Sequence, residues 1–166
     1  KDADGFGYAV YEASLHRSSG KSTHVVFTGQ VYALQRRPHP GQGVTVVVPD
    51  KGLFNFWKPA KGMERVPVPS DEAFEKAFEA YSEDRMAASS LLFDSSLRAL
   101  MLDLRKTGHV WLYGGPEEAL LAVAGKNRFE PGSMFRSKGG EERARTMFDD
   151  VCAALNTLDA FKARLG

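Results

Sequence analysis

The sequence predicts one α+β domain, in which a mostly antiparallel sheet of five to seven strands packs against three helices. Two observations support this class. The first 69 residues contain runs of β-branched and aromatic residues separated by glycine and proline. The rest of the chain contains three segments whose apolar residues recur with helical spacing, and a further pair of strand-like runs. A chain of 166 residues is long enough to bury a substantial core as a single domain over residues 1–166.

The strands are predicted from residue type and from their boundaries. Residues 25–34 are the strongest candidate, because Val, Phe and Tyr dominate them. Two apolar runs separated by a loop with two glycines and a proline predict a β-hairpin, at residues 109–113 and 119–123. The remaining predicted strands cover residues 6–15, 44–48, 54–57 and, as a weak edge strand, 65–68.

Three helices follow from apolar spacing and capping residues. Residues 71–81 have Phe74, Phe78 and Tyr81 at i, i+4 and i+7, and Ser70 is the predicted N-cap. Residues 95–106 form the second helix, with Asp94 as its N-cap. The third helix, residues 142–165, has the longest apolar stripe: Ala144, Met147, Phe148, Val151, Leu155, Leu158, Phe161 and Leu165. Since a long helix follows a sheet, a pleckstrin-homology-like arrangement is the alternative.

Charge is distributed unevenly along a nearly neutral chain. The formal net charge is +1, yet residues 1–69 have nine basic and five acidic groups, whereas residues 70–166 have 13 basic and 16 acidic groups. The low total argues against a nucleic-acid domain that neutralises phosphates. The single cysteine, Cys152, excludes an internal disulfide and a multi-cysteine zinc site.

Catalytic motifs do not emerge from the sequence. The four histidines form no i, i+4 pair, and neither a Walker sequence nor a dinucleotide fingerprint occurs. We therefore predict no catalytic residue, no cofactor site and no metal site, and we favour a non-enzymatic binding module. The alternative is an enzyme or small-ligand receptor whose site assembles from distant residues, with His39, His109 or Asp84 and Arg85 contributing.

An aromatic and basic stretch at residues 51–62 is the predicted contact surface. Three aromatic residues and three lysines are interleaved within these twelve residues, and two arginines lie one strand earlier. Aromatic rings beside cations suit a protein partner or the headgroup region of a membrane. A hairpin with its aromatics in the core and its lysines in water is the alternative. The candidate contact residues are Arg36, Arg37, Phe54, Phe56, Trp57, Lys58 and Lys61.

The pattern between residues 25 and 135 resembles a bacterial family, the domain of unknown function 3137. The segment Val26-Phe27-Thr28-Gly29-Gln30-Val31-Tyr32 resembles the family's "F-x-G" strand. The segment Phe74-Glu75-Lys76-Ala77-Phe78-Glu79-Ala80-Tyr81-Ser82, followed by Asp84-Arg85-Met86-Ala87, resembles its helical core. The segment Gln35-Arg36-Arg37-Pro38 departs from the family pattern, which is more aromatic there.

The resemblance implies a location rather than an activity. It implies an α+β domain that follows a pair of N-terminal transmembrane helices, without an established catalytic residue. The chain begins with Lys1 rather than Met, which fits a segment of a longer protein. We therefore expect the domain at the cytoplasmic face of the bacterial inner membrane, anchored by segments outside this chain. The expected partner is an unidentified protein or the membrane surface.

Overall fold

A computed structural model describes residues 7–36, 43–50, 61–126 and 140–165. Within these residues the chain forms seven strands and four helices. The strands are β1 (Tyr8–Ser19), β2 (Ser22–Gln35), β3 (Thr45–Pro49), β4 (Glu64–Arg65), β5 (Phe78–Ser82), β6 (Val110–Gly114) and β7 (Glu118–Ala124). The helices are α1 (Glu72–Ala77), α2 (Arg85–Phe93), α3 (Ser95–Leu104) and α4 (Gly140–Lys162).

The seven strands form one sheet in the order β1-β2-β7-β6-β3-β5-β4, and neighbouring strands pair antiparallel. The predicted α+β class, with a mostly antiparallel sheet and a long C-terminal helix, is confirmed. Helices α1, α2 and α3 come between strands rather than after them. This order does not match the alternative of a sheet followed by a single C-terminal helix.

The core lies on one face of the sheet because side chains alternate between its two faces. Tyr32, Leu121 and Leu112 are register partners on neighbouring strands, and all three are buried. Helices α1 to α4 add Phe74, Leu92, Leu97, Met101, Leu158 and Phe161 to the same cluster. On the opposite face, Val31, Ala122 and Trp111 are only half-buried.

The prediction of the first helix, over residues 71–81, is wrong in two respects. Its N-cap is Asp71, whose Oδ1 accepts from the Phe74 amide at 3.0 Å, and not Ser70. The helix ends at Ala77, and Phe78 begins β5 instead of adding a second turn. The reason is strand pairing, because Phe78 to Ser82 align with Pro49 to Thr45 of β3, which satisfies the backbone in an extended form.

Aspartates also begin the next two helices. Asp94 caps α3 by accepting from the Ser96 amide at 2.7 Å, as its position predicts. Asp84 caps α2 in the same way through the Met86 amide at 2.8 Å. The sequence patterns do not predict α2 as a separate helix. The predicted strand at residues 54–57 lies outside the described residues.

Candidate interaction surface

The β1–β2 hairpin extends well past the rest of the sheet. Pairing between β2 and β7 stops at Gly29 and Ala124, whereas β1 and β2 stay paired as far as Ser19 and Ser22. Residues 14–28, which we call the arm, therefore form a two-stranded ribbon that projects roughly 20 Å from the sheet. Gly20, with a φ of 58°, permits the tight turn at its tip.

Aromatic and backbone contacts anchor the base of the arm. The Phe27 ring lies edge-on to Trp111, with ring centroids 5.6 Å apart. The Thr28 carbonyl accepts a hydrogen bond from the Gly125 amide at 2.9 Å. The register shifts between Leu15 and His16, which indicates a bulge where the arm leaves the sheet. The arm is thus attached at its base and surrounded by solvent beyond it.

Apolar and basic side chains share the surface of the arm. Leu15, Val25 and Val26 are between 55% and 59% exposed, which is unusual for neighbouring aliphatic residues in a folded domain. Arg17 and Lys21 are also exposed. The sequence has no Asp or Glu between Glu12 and Asp50, so the arm has a formal charge of +2.

Helix α4 divides into two halves with different environments. Leu158 and Phe161 are buried against the body of the domain, and Ala154, one turn earlier, is buried as well. The preceding part, residues 140–155, which we call the exposed half of α4, presents its apolar stripe to solvent. The four large side chains of this stripe are 38% to 68% exposed: Met147, Phe148, Val151 and Leu155.

The exposed half of α4 has the opposite charge to the arm. It contains four acidic residues and two arginines, a formal charge of −2. Glu141 and Asp149 are both exposed beside the apolar stripe. A helix with apolar anchors at i, i+3, i+4 and i+7 is the pattern by which amphipathic helices dock on proteins. Membrane-surface helices instead carry Lys and Arg on the polar face.

Two residues of the predicted contact surface lie in the described part of the chain. Arg36 follows β2, where its guanidinium is partly buried and donates to the Gly115 carbonyl at 3.4 Å. Burial lowers the pKa of this guanidinium. Lys61 is exposed in the turn before β4. Both lie at the same end of the sheet, but β2 and β4 are five strand positions apart, which is on the order of 24 Å.

The other predicted contact residues, Arg37, Phe54, Phe56, Trp57 and Lys58, lie outside the described residues. The arm and the exposed half of α4 were not predicted as surfaces. The signal for the arm was the absence of acidic residues over 37 positions. The apolar stripe of α4 was recognised, but its periodicity does not distinguish a buried stripe from an exposed one.

The described residues proposed for an enzyme or receptor site are not brought together. Asp84 uses its carboxylate to cap α2, and Arg85 pairs with Glu64 at 3.0 Å. His109 precedes β6 at the opposite end of the sheet, with its ring 5.9 Å from that of Trp111. His39 lies outside the described residues. Within the described ranges, no three His, Cys, Asp or Glu residues cluster in a way that could hold a metal ion.

Among the described residues, the most buried ion pair joins Asp71, the N-cap of α1, to Arg98 of α3. The Arg98 Nε donates to Asp71 Oδ2 at 2.8 Å, and the same guanidinium reaches the Leu92 carbonyl. The hydrogen bond from Arg98 holds the pKa of the Asp71 carboxyl below its usual value. On the opposite face of the sheet, burial and then the Glu79 carboxylate raise the pKa of the Tyr81 hydroxyl. In both sets the shifted group is hydrogen-bonded to another side chain of the domain.

Comparison with known families identifies the chain's relatives. A family model described as protein of unknown function (DUF3137) matches residues 25–162. The chain belongs to this family. The resemblance seen in the sequence is therefore confirmed, and it now includes the α4 helix. Comparison with curated protein sequences finds no match.

Among solved structures, the crystal structure of the mycobacterial trehalose monomycolate transport factor A, TtfA, is similar to this chain. The sequences are 14% identical, the alignment covers 98% of this chain and 88% of the other, and the TM-score is 0.44. In the part of the chain that the structure describes, no helix is both long enough and apolar enough to cross a membrane.

Proposed function

We propose that this domain is a protein-binding module whose docking surface is the exposed half of α4. One observation supports it above all. The apolar stripe of α4 continues from the buried part of the helix into its exposed half, where Phe148 is 68% exposed. Covering such side chains removes apolar surface from water, which favours a partner that buries them. The flanking acidic residues favour a partner surface with basic groups.

Site-specific photo-crosslinking tests this proposal in living cells. A photoreactive phenylalanine analogue at position 148 is expected to capture a protein when the full-length protein is illuminated in its source bacterium. The same analogue at position 156, where Asn156 is exposed on α4 outside the apolar stripe, is the matched control. Adducts at both positions, or at neither, would contradict the proposed docking surface.

The proposal also retains a membrane-anchored parent protein at the cytoplasmic face of the inner membrane. The Gly7 carbonyl accepts from the Gln35 amide at 2.8 Å, so the N-terminal side of β1 lies beside Arg36. An anchor that precedes residue 1 would turn this end of the sheet, with Arg36 and Lys61, toward the bilayer. Basic groups near the membrane surface are attracted to anionic lipids.

The predicted contact surface at residues 51–62 remains a second proposal, for lipid binding. Co-sedimentation with vesicles containing anionic lipid, compared with neutral vesicles, measures it. Trp57→Ala and Lys58→Glu should each reduce binding to the anionic vesicles. Unchanged binding in both variants would rule out this stretch as the lipid contact.

A further inference from the structure

Two exposed apolar surfaces of the described residues, the arm and the exposed half of α4, are complementary in charge. The arm presents Leu15, Val25 and Val26 with a formal charge of +2, and the exposed half of α4 has a formal charge of −2. Opposite charges around apolar centres favour association, because they steer encounter and exclude like-charged partners. Each surface is therefore matched, in charge and in exposed apolar side chains, by the other surface of the same chain.

The two surfaces do not satisfy each other within one molecule. Within a single chain, the three aliphatic side chains of the arm and the four large apolar side chains of the exposed half of α4 remain 38% to 68% exposed. A contact between the two surfaces that covers these side chains would therefore be made between two copies. The face of the arm that contains Leu15 and Arg17 can lie on the stripe around Phe148, while Arg17 and Lys21 approach Glu141 and Asp149.

We propose that the partner of the exposed half of α4 is the arm of a second copy of this chain, an inference that rests on the proposed function. A reciprocal pair, in which each arm lies on the other's α4, closes as a two-fold dimer. A head-to-tail contact of the same surfaces would instead continue into a ring or a filament. A lipid surface suits the arm alone, since the acidic α4 surface would be repelled by anionic headgroups.

Sedimentation equilibrium of the purified chain at several concentrations and two ionic strengths tests the inference. We expect concentration-dependent self-association that weakens as salt screens the charges. Arg17→Glu with Lys21→Glu should weaken it about tenfold, and so should Glu141→Lys with Asp149→Lys. Combining all four substitutions should restore association, because the charges are then exchanged between the surfaces.

Phe148→Ser and Phe93→Ser provide a matched apolar pair. Phe93 is 83% exposed on α2, outside both surfaces, so its loss should leave association unchanged, whereas loss of Phe148 should weaken it. Circular dichroism checks that every variant is folded.

Three outcomes would overturn the inference. The first is a monomer at all concentrations, and the second is an association that the four-fold exchange does not restore. The third is an arm that binds anionic vesicles while the chain does not self-associate. The proposed function is tested separately, by crosslinking at position 148. An adduct with a different protein there, together with a monomeric chain, would retain the docking surface and reject the second copy.

Discussion

The two halves of α4 have the same apolar periodicity but different environments. Phe161, in the second half, is fully buried, whereas Phe148, in the first half, is mostly exposed. The stripe that connects them passes from the core into solvent without a break in the sequence pattern. The comparison shows that an amphipathic stripe specifies a helix face that can be buried. The neighbouring elements decide which part of that face is buried.

The largest expected effect separates these two phenylalanines. Phe161→Ala should lower the free energy of unfolding by about 4 kcal/mol, because it removes a buried ring and leaves a cavity. Phe148→Ala should change it by less than about 0.5 kcal/mol. Urea denaturation of the two variants measures the difference. Equal losses would show that the first half of α4 contributes to the core as the second half does.

The Asp71–Arg98 pair extends the comparison to charged groups. Arg98→Ala should cost about 3 kcal/mol, since it leaves the Asp71 carboxylate and the Leu92 carbonyl without their buried donor. The exposed Glu72–Lys76 pair on α1 is the control, and Lys76→Ala should cost at most about 0.5 kcal/mol. Thermal unfolding followed by circular dichroism measures both variants.

The free energy of unfolding at acid pH should also depend on the Asp71–Arg98 pair. Because Arg98 lowers the pKa of Asp71 in the folded state, the pair stabilises the fold above the usual carboxyl pKa. That stabilisation is lost as pH falls through the lowered folded-state pKa. Asp71→Asn should therefore reduce stability near neutral pH and flatten its decline in acid. An unchanged acid limb would contradict the assignment.

Gly29 lies at the junction between the sheet and the arm. Its φ is 157°, and a Cβ there would meet the Val123 carbonyl oxygen and lie 2.8 Å from the Ala124 Cα. Gly29→Ala should cost about 2 kcal/mol, because backbone atoms must move to accommodate the methyl group. Gly20→Ala meets no atom within 4 Å and is the comparison for a positive φ alone. Chemical denaturation distinguishes the two costs.

The smallest expected effect concerns the arm itself. Val25→Thr should change the free energy of unfolding by less than about 0.5 kcal/mol, because the side chain is already more than half exposed. Val47→Thr on the buried strand β3 should cost more, since it places a hydroxyl in the core. A large loss for Val25→Thr would show that the arm folds against the body of the domain.

The sequence by itself determined the class of the fold and most of its elements. Alternation and β-branched residues located β2, β3 and the β6–β7 hairpin, and an aspartate before an apolar run located α3. These signals are local, so they need no knowledge of the partner strand. The family was also readable, because its motifs lie in contiguous segments such as residues 26–32 and 74–87.

Only the tertiary structure decided the rest. Residues 78–81 fit a helix face by spacing, but pairing with β3 makes residues 78–82 a strand. The arm exists because β7 ends opposite Gly29 while β1 and β2 continue, and strand length relative to neighbours is not a local property. For the same reason, periodicity predicted the stripe of α4, whereas the limited extent of the sheet and helices beneath it left Phe148 exposed.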